Sequence, residues 1–275
     1  MLKYDPTLNK LHHIARLSFV AISLFSLAAC SFSGRDGAPK RYVNVANIPD
    51  AVPKVEPRSE GGNPSSYSVF GRTYYVMRDS HNYVERGIAS WYGTKFHGNK
   101  TSNGETYDMY KMTAAHKSLP IPTYVQVTNL KNGRKVIVRV NDRGPFHHNR
   151  IIDLSYVAAK KLGIIGTGTG LVEVRSINPR TWRREEAHPV RTAIKPDSYD
   201  TLYIQAGAFA SQHNASRLQR QLNALFPDHP VQLAQNSQDQ LFRVRIGPLA
   251  TVAEADRVAQ TISENGYPTP HVILE

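Results

Sequence analysis

Residues 127–142 read VTNLKNGRKVIVRVND. Asn132-Gly133 lies between two β-prone arms, and an Asn-Gly pair supplies the positive-φ positions of a tight hairpin turn. The second arm, Arg134–Asn141, is rich in Val and Ile and runs directly into Asn-Asp-Arg-Gly-Pro. Outward from this hairpin lie further short β-prone runs at Gly87–Tyr92, Tyr124–Asn129 and Gly170–Ser176. Turn signals at Asn99, Asn103-Gly104 and Gly144-Pro145 separate them. The only long amphipathic pattern is near Leu154–Leu162, and Asp153 is expected to cap that helix. So many short strands between residues 86 and 178 predict a small closed all-β barrel.

Polar residues that a barrel does not need for packing are dense here. They form four clusters: Ala89–Gly93 with Phe96-His97-Gly98; Thr101–Asp108; Thr113–His116 with Leu119-Pro120; and Val140–Phe146 followed by Arg150–Ser155. In this order the stretches resemble the rare lipoprotein A (RlpA) family, over about Tyr67 to Ile177. The resemblance implies a double-psi β-barrel that cleaves the glycan strands of peptidoglycan as an endolytic lytic transglycosylase. Glycan cleavage needs a proton donor at the glycosidic oxygen. In a lytic transglycosylase the sugar's own 6-hydroxyl attacks, leaving a 1,6-anhydro end. One carboxyl can then serve as acid and afterwards as base.

Asp142, at the strand end, is the candidate catalytic acid. The alternative is that it pairs with Arg143 or caps the turn before Gly144-Pro145. His116 is its expected partner, against a satisfied core histidine. Glu105 and Asp108 are carried over from the family as catalytic-site positions, with turn capping the other reading for Asp108. Tyr92, Thr113 and Asn141 line the groove by the same matching. His97, His116, His147 and His148 lack a zinc-ligand spacing, so neither metal nor cofactor is expected.

The chain from Tyr199 to Glu275 repeats itself at an offset of 40 residues, Gly207 meeting Gly247 and Arg217 meeting Arg257. Each half reads strand, helix, strand. Ser211 and Thr251 are the expected N-caps, and Ala215, Leu218 and Leu222 or Ala255, Val258 and Ile262 are the buried faces. Two such halves predict a ferredoxin-like four-stranded antiparallel sheet with two helices. RNA-recognition modules share that plan, but they need paired strand aromatics and a basic surface. This segment is net acidic, with seven acidic and five basic side chains. The runs YIQAGAF (203–209) and FRVRIGPL (242–249) instead resemble the SPOR family. That implies binding to glycan strands stripped of stem peptides, with Tyr203, Gln205, Phe242, Arg243 and Arg245 as candidates on the sheet surface.

Residues 1–29 read as an export signal: Lys3, Lys10 and Arg16, then the apolar run 17–27, too short to span a bilayer. Leu27-Ala28-Ala29-Cys30 resembles a lipobox, which implies lipidation of Cys30 and a membrane anchor. With Ser31 after it, outer-membrane sorting and a periplasmic globular part are implied. Residues 30–66 are expected to be a flexible linker and 179–198 a second one, bracketing the barrel at 67–178 and the SPOR-like domain at 199–275.

The net charge of +12 concentrates in residues 86–178, which hold fourteen basic and five acidic side chains. A basic barrel suits a carboxylated glycan rather than nucleic acid. The single cysteine excludes an internal disulfide framework. The expected partners are denuded glycan strands, the membrane through Cys30, and division proteins at the septum. The alternative function is a non-catalytic septal lipoprotein whose barrel binds glycan or a partner without cutting.

Overall fold

The computed structural model describes residues 36–147, 149–182, 201–235, 239–268 and 270–275. The export signal, Cys30 and residues 183–198 of the second linker lie outside the described residues.

Six strands close into a barrel: β3 (Val84–Tyr92), β4 (Thr113–His116), β5 (Thr123–Asn129), β6 (Lys135–Asp142), β7 (Arg150–Ser155) and β8 (Gly170–Ser176). A two-stranded hairpin, β1 (Ser66–Val69) and β2 (Arg72–Tyr75), precedes them. The barrel order is β3-β7-β4-β6-β5-β8, with β3–β7 and β4–β6 parallel and the remaining pairs antiparallel. Two parallel crossings interleaved with antiparallel ones make this the double-psi arrangement. The predicted Asn132-Gly133 hairpin joins β5 to β6, with Val125 opposite Val138 and Gly133 at φ +70°. Val125, Val127, Val138, Val140, Ile152, Leu154, Val172 and Val174 are completely buried in the barrel core.

The predicted helix is shorter than its pattern. Arg150–Ser155 is strand β7, parallel to β3, and helix α1 spans Tyr156–Leu162. The side chains of 150–155 alternate across a sheet rather than around a helix, which is why Asp153 does not cap. The Ser155 hydroxyl accepts the Ala158 N–H instead, at 3.3 Å, while Asp153 accepts from the Ser90 hydroxyl.

A larger departure is the stretch expected to be a flexible linker. Residues 37–65 lie along the barrel as an extended strap. Val43, Val45, Ile48 and Ala51 pack against the barrel core. Ala51 N–H donates to the Ile137 carbonyl, and Asp50 accepts the Ile137 N–H. Lys160 and Lys161 of α1 donate to the Val43 and Ile48 carbonyls. Farther on, Ser59 N–H donates to the Ile121 carbonyl, and Asn63 Oδ1 accepts the Ile121 N–H. The Pro- and Gly-rich composition therefore marks extended backbone satisfied by the barrel, not solvated chain.

The carboxy-terminal part folds as its repeat predicts. A sheet of order β10-β11-β9-β12 is built from β9 (Leu202–Phe209), β10 (Val231–Gln235), β11 (Phe242–Leu249) and β12 (His271–Leu274), all antiparallel. Helices α2 (Gln212–Leu225) and α3 (Val252–Glu264) bury Ala215, Leu218 and Leu222, and Ala255, Val258, Ala259 and Ile262. Thr251 caps α3 by accepting the Glu254 N–H, whereas Ser211 makes no such side-chain bond. Gly247 sits at φ +137°, and a Cβ there would lie 3.0 Å from the Leu202 carbonyl oxygen. Backbone, not ligand contact, requires that glycine. Among the described residues, no helix is long and apolar enough to cross a membrane.

Candidate active site

The site is built where β6 ends. Ala114 of β4 pairs with Val140 of β6, but Ala115 pairs with Asp142, so Asn141 is an extra, bulged residue. A bulge re-aims side chains that alternation would send to opposite faces. Asn141 and Asp142, consecutive in sequence, consequently both meet the loop at 99–108.

That loop is internally braced. Thr101 N–H donates to the Glu105 carbonyl at 2.8 Å, and Tyr107 N–H to the Asn99 carbonyl at 2.8 Å. Gly104 at φ +87° makes the turn. The Tyr107 ring stacks on Tyr92 with centroids 4.0 Å apart, and its hydroxyl donates to the Tyr92 carbonyl.

Asp142 receives three hydrogen bonds on one oxygen. Ser102 N–H donates to Oδ1 at 2.8 Å, the Ser102 hydroxyl at 2.6 Å and Arg143 N–H at 2.8 Å. The Arg143 guanidinium points elsewhere, donating to the carbonyls of Gly62, His116 and Leu119 and to Asn63 Oδ1. The considered Asp142–Arg143 side-chain pair is therefore replaced by a backbone bond.

Glu105 accepts from Arg139 at 2.8 and 3.0 Å, from Asn141 Nδ2 at 2.8 Å and from Asn103 Nδ2 at 2.9 Å. Burial alone would raise its pKa, but the hydrogen bonds from Asn141, Arg139 and Asn103 outweigh it and hold the carboxyl below its ordinary range.

Beside these carboxylates are three buried polar atoms with no hydrogen-bond partner among the described residues: Tyr92 Oη, Thr113 Oγ1 and Asn141 Oδ1. The Tyr92 hydroxyl lies close enough to the Thr113 side chain for that contact to favour its ionised form. Burial, then the nearby Tyr107 and the Asp142 charge, raise the Tyr92 pKa. Each such buried orphan costs about 1–3 kcal/mol. All three atoms are closed off from solvent. They are the three residues the sequence reading put in the groove.

Two expected members sit differently. His116 is 2% exposed, and its bonds do not go to Asp142. Its Nδ1 accepts the N–H groups of Ser118 and Leu119 at 3.1 and 3.0 Å, and its Nε2 pairs with the Tyr83 hydroxyl at 2.8 Å. An Nδ1 accepting two backbone donors carries no proton, so Nε2 is the donor to Tyr83, and Tyr83 donates on to Glu85. Burial, followed by Arg143 and Lys117, pushes the His116 pKa down to about 3. The expected His116–Asp142 partnership is corrected: His116 is a neutral core histidine shaping the turn at 116–119. Asp108 accepts the Tyr110 N–H at 2.9 Å as a turn cap, with His97 Nδ1 3.9 Å from Oδ1. Neither Asp108 nor His116 has a side-chain bond to Asp142 or Glu105 among those described above.

Ser102 and Arg139 were not singled out from the sequence. Ser102 lay inside a quoted cluster, and Arg139 is two residues before Asn141 on β6, a spacing that puts both on one side of a strand. Among the described residues, no group of three His, Cys, Asp or Glu side chains is placed to hold a metal ion.

On the carboxy-terminal sheet, Ile204, Ala206, Val244 and Ile246 are buried, so Tyr203, Gln205, Arg243 and Arg245 turn to the opposite, helix-free face. Gln205 is flanked there by Arg245 and His271 in register. Phe242 is corrected: it pairs with Phe209, and both pack against the helix-covered core. Arg243 is paired with Asp239 and Arg245 with Glu275.

The family described as lytic transglycolase matches residues 84–175, and the SPOR domain family matches residues 198–274. An endolytic peptidoglycan transglycosylase RlpA from Pseudomonas aeruginosa (strain UCBPP-PA14) is 42% identical over 288 residues, covering 86% of this chain and 84% of that relative. The chain belongs to the RlpA family. The RlpA of Vibrio cholerae serotype O1 is 51% identical over 168 residues, covering 59% of this chain and 64% of that relative. A solved RlpA SPOR domain from Pseudomonas aeruginosa is 31% identical, covering 26% of this chain and 96% of that one, at a TM-score of 0.25. The RlpA match covers 86% of this chain, and the two family models fall on its two folded parts, the barrel and the carboxy-terminal sheet.

Proposed function

We propose that this chain is an endolytic lytic transglycosylase that cuts peptidoglycan glycan strands lacking stem peptides, with Asp142 as its acid and base. The observation that supports it is the one-sided bonding of Asp142. All three of its donors are on Oδ1, so a proton on this carboxyl belongs on Oδ2. From Oδ2 it passes to the oxygen linking the muramic and glucosamine units, and the C–O bond breaks. The 6-hydroxyl of the same muramic unit then attacks the cationic carbon while Asp142 takes up its proton. The product is a 1,6-anhydro end, and no water is consumed. By the family matching, Tyr92, Thr113 and Asn141 line the groove for the sugar, and the basic barrel favours lactyl carboxylates.

The SPOR sheet holds the same strand through Tyr203, Gln205, Arg243 and Arg245. Tethering two glycan-binding modules raises the strand's effective concentration at the barrel. Cys30 carries the lipid that retains the chain at the outer membrane facing the periplasm, and the sheet's preference for denuded strands draws it to the division septum.

The test is incubation of the purified chain with amidase-treated sacculi and mass spectrometry of the products. Anhydro-muramic ends made by wild type and lost in Asp142→Asn support the reading. A wild type that binds sacculi and releases nothing supports the non-catalytic alternative.

A further inference from the structure

The strap does more than cover the barrel. Between residues 56 and 63 it touches each of the three pieces that build the site. Glu56 accepts from Arg139 Nε and Nη2, both at 3.0 Å, while the same guanidinium reaches Glu105 through Nη1. Gly62 accepts from Arg143 Nε at 2.7 Å, beside Asp142. Gly61 and Gly62 lie against the Ser102 backbone so closely that a Cβ would stand 3.1 or 3.0 Å from its carbonyl oxygen.

The Arg139 link is the specific one. A guanidinium has five N–H donors in one fixed plane, so fastening one edge fixes the direction of the other. Glu56 fastens that edge bidentately, and it is itself held by the Tyr124 hydroxyl at 2.5 Å. Its side chain is 18% exposed against 43% for Glu105, so the strap end of the bridge is the better sheltered. Glu105 then grips Asn141, which adjoins Asp142 in the bulge.

We infer that Glu56 is a positioning residue of the cleavage site, holding Arg139 so that Glu105, Asn141 and the 99–108 loop stand correctly against Asp142. This rests on the reading of Asp142 as the cleaving acid. The strap is on this account part of the active unit, although no barrel strand contains it.

Electrostatics supply a readout that does not require turnover. The charged and titratable groups facing the bridge are Arg139 on β6, Glu105 on the loop, and Glu56 with Lys54 on the strap, with Tyr124 on β5. Removing the Glu56 charge leaves Arg139 less neutralised, so its pull on Glu105 strengthens.

The experiment is a carboxyl carbon NMR titration of the full chain, wild type against Glu56→Gln, with steady-state kinetics on denuded strands. The Glu105 midpoint is expected to fall in Glu56→Gln and to return in Glu56→Asp, which restores the charge. The kcat is expected to drop about tenfold or more with KM nearly unchanged. The double variant Glu56→Gln with Glu105→Gln is expected to lose no more than Glu105→Gln alone. An unmoved Glu105 midpoint, or losses that multiply, overturns the inference.

Should Glu56→Gln not fold, Arg139→Lys serves, because an ammonium lacks the rigid planar fork by which fastening one edge aims the other. There the Glu105 midpoint is expected to rise, and no rise overturns the inference. The reading of Asp142 fails by a separate result: activity that survives in Asp142→Asn.

Discussion

Ser102 grips Asp142 twice, through its backbone N–H at 2.8 Å and its hydroxyl at 2.6 Å, both on Oδ1. The same hydroxyl accepts the Arg143 N–H at 3.0 Å. One serine thus fixes the orientation of the carboxyl and of the residue after it. In Ser102→Ala the backbone bond remains and the hydroxyl bonds go. Cleavage of denuded strands is expected to fall about tenfold, with Ser102→Thr recovering most of it. Equal rates in Ser102→Ala and wild type would remove this serine from the site.

Asp142→Asn keeps the side chain's size and its acceptor oxygen but removes the transferable proton. The rate of anhydro-end formation is expected to drop on the order of 10²–10⁴-fold. Affinity for sacculi and thermal stability should change little, and both can be measured on the same preparation. A variant that stays active assigns the chemistry to another group.

His116 gives a stability signature rather than a catalytic one. Unfolded, a histidine binds a proton below about pH 6.5. In the fold, burial and the nearby Arg143 and Lys117 hold His116 down to about 3. The unfolded state therefore binds the extra proton as pH falls from 6.5 to 3. Stability from this group is full above pH 6.5 and is lost across that window, at up to about 1.4 kcal/mol per pH unit. Urea unfolding at a series of pH values should show His116→Gln with a shallower acid dependence than wild type, by up to one proton. Identical slopes would mean that His116 titrates normally in the fold.

The two faces of the carboxy-terminal sheet should separate by mutation. Arg245 is on the helix-free face and Phe242 on the core face. Arg245→Ala is expected to weaken pull-down on amidase-treated sacculi several-fold while the melting temperature stays within a few degrees. Phe242→Ala is expected to lower the melting temperature, at a cost of about 2 kcal/mol for a half-buried aromatic. Its affinity for sacculi should hold below the melt. The reverse pattern would move the glycan surface to the helices.

Most of the architecture was legible. The Asn132-Gly133 turn, the strand at Gly170–Ser176 and the 40-residue repeat carry their structure in short-range patterns, and each stands where it was read. Two local readings failed because tertiary pairing decided them. The helix read from Leu154 with Asp153 as its cap starts later because Arg150–Ser155 is a strand held between β3 and β4. Phe242 turns inward because it shares the face of Val244 and Ile246, which are buried under the helices. Of the candidate site, the motif residues Asn141 and Glu105 are joined by a hydrogen bond, and Asp142 follows Asn141 in the bulge. His116 was assigned by nearness in sequence. Its ring is committed to Tyr83 and to two backbone donors, a commitment set by burial that sequence does not display. Glu56 lay beyond reading, since a charge among prolines and glycines looks the same whether it faces water or Arg139.

The docked strap also changes the length of the leash. With the lipid proposed at Cys30 and the barrel taken to begin at residue 67, the catalytic body would swing on a tether of about 37 residues, reaching at full stretch some ~120 Å. With the strap on the barrel from Gly37 onward, only about seven residues separate Cys30 from the docked chain, a span of at most ~24 Å. On that proposal the barrel would work close to the membrane that holds it.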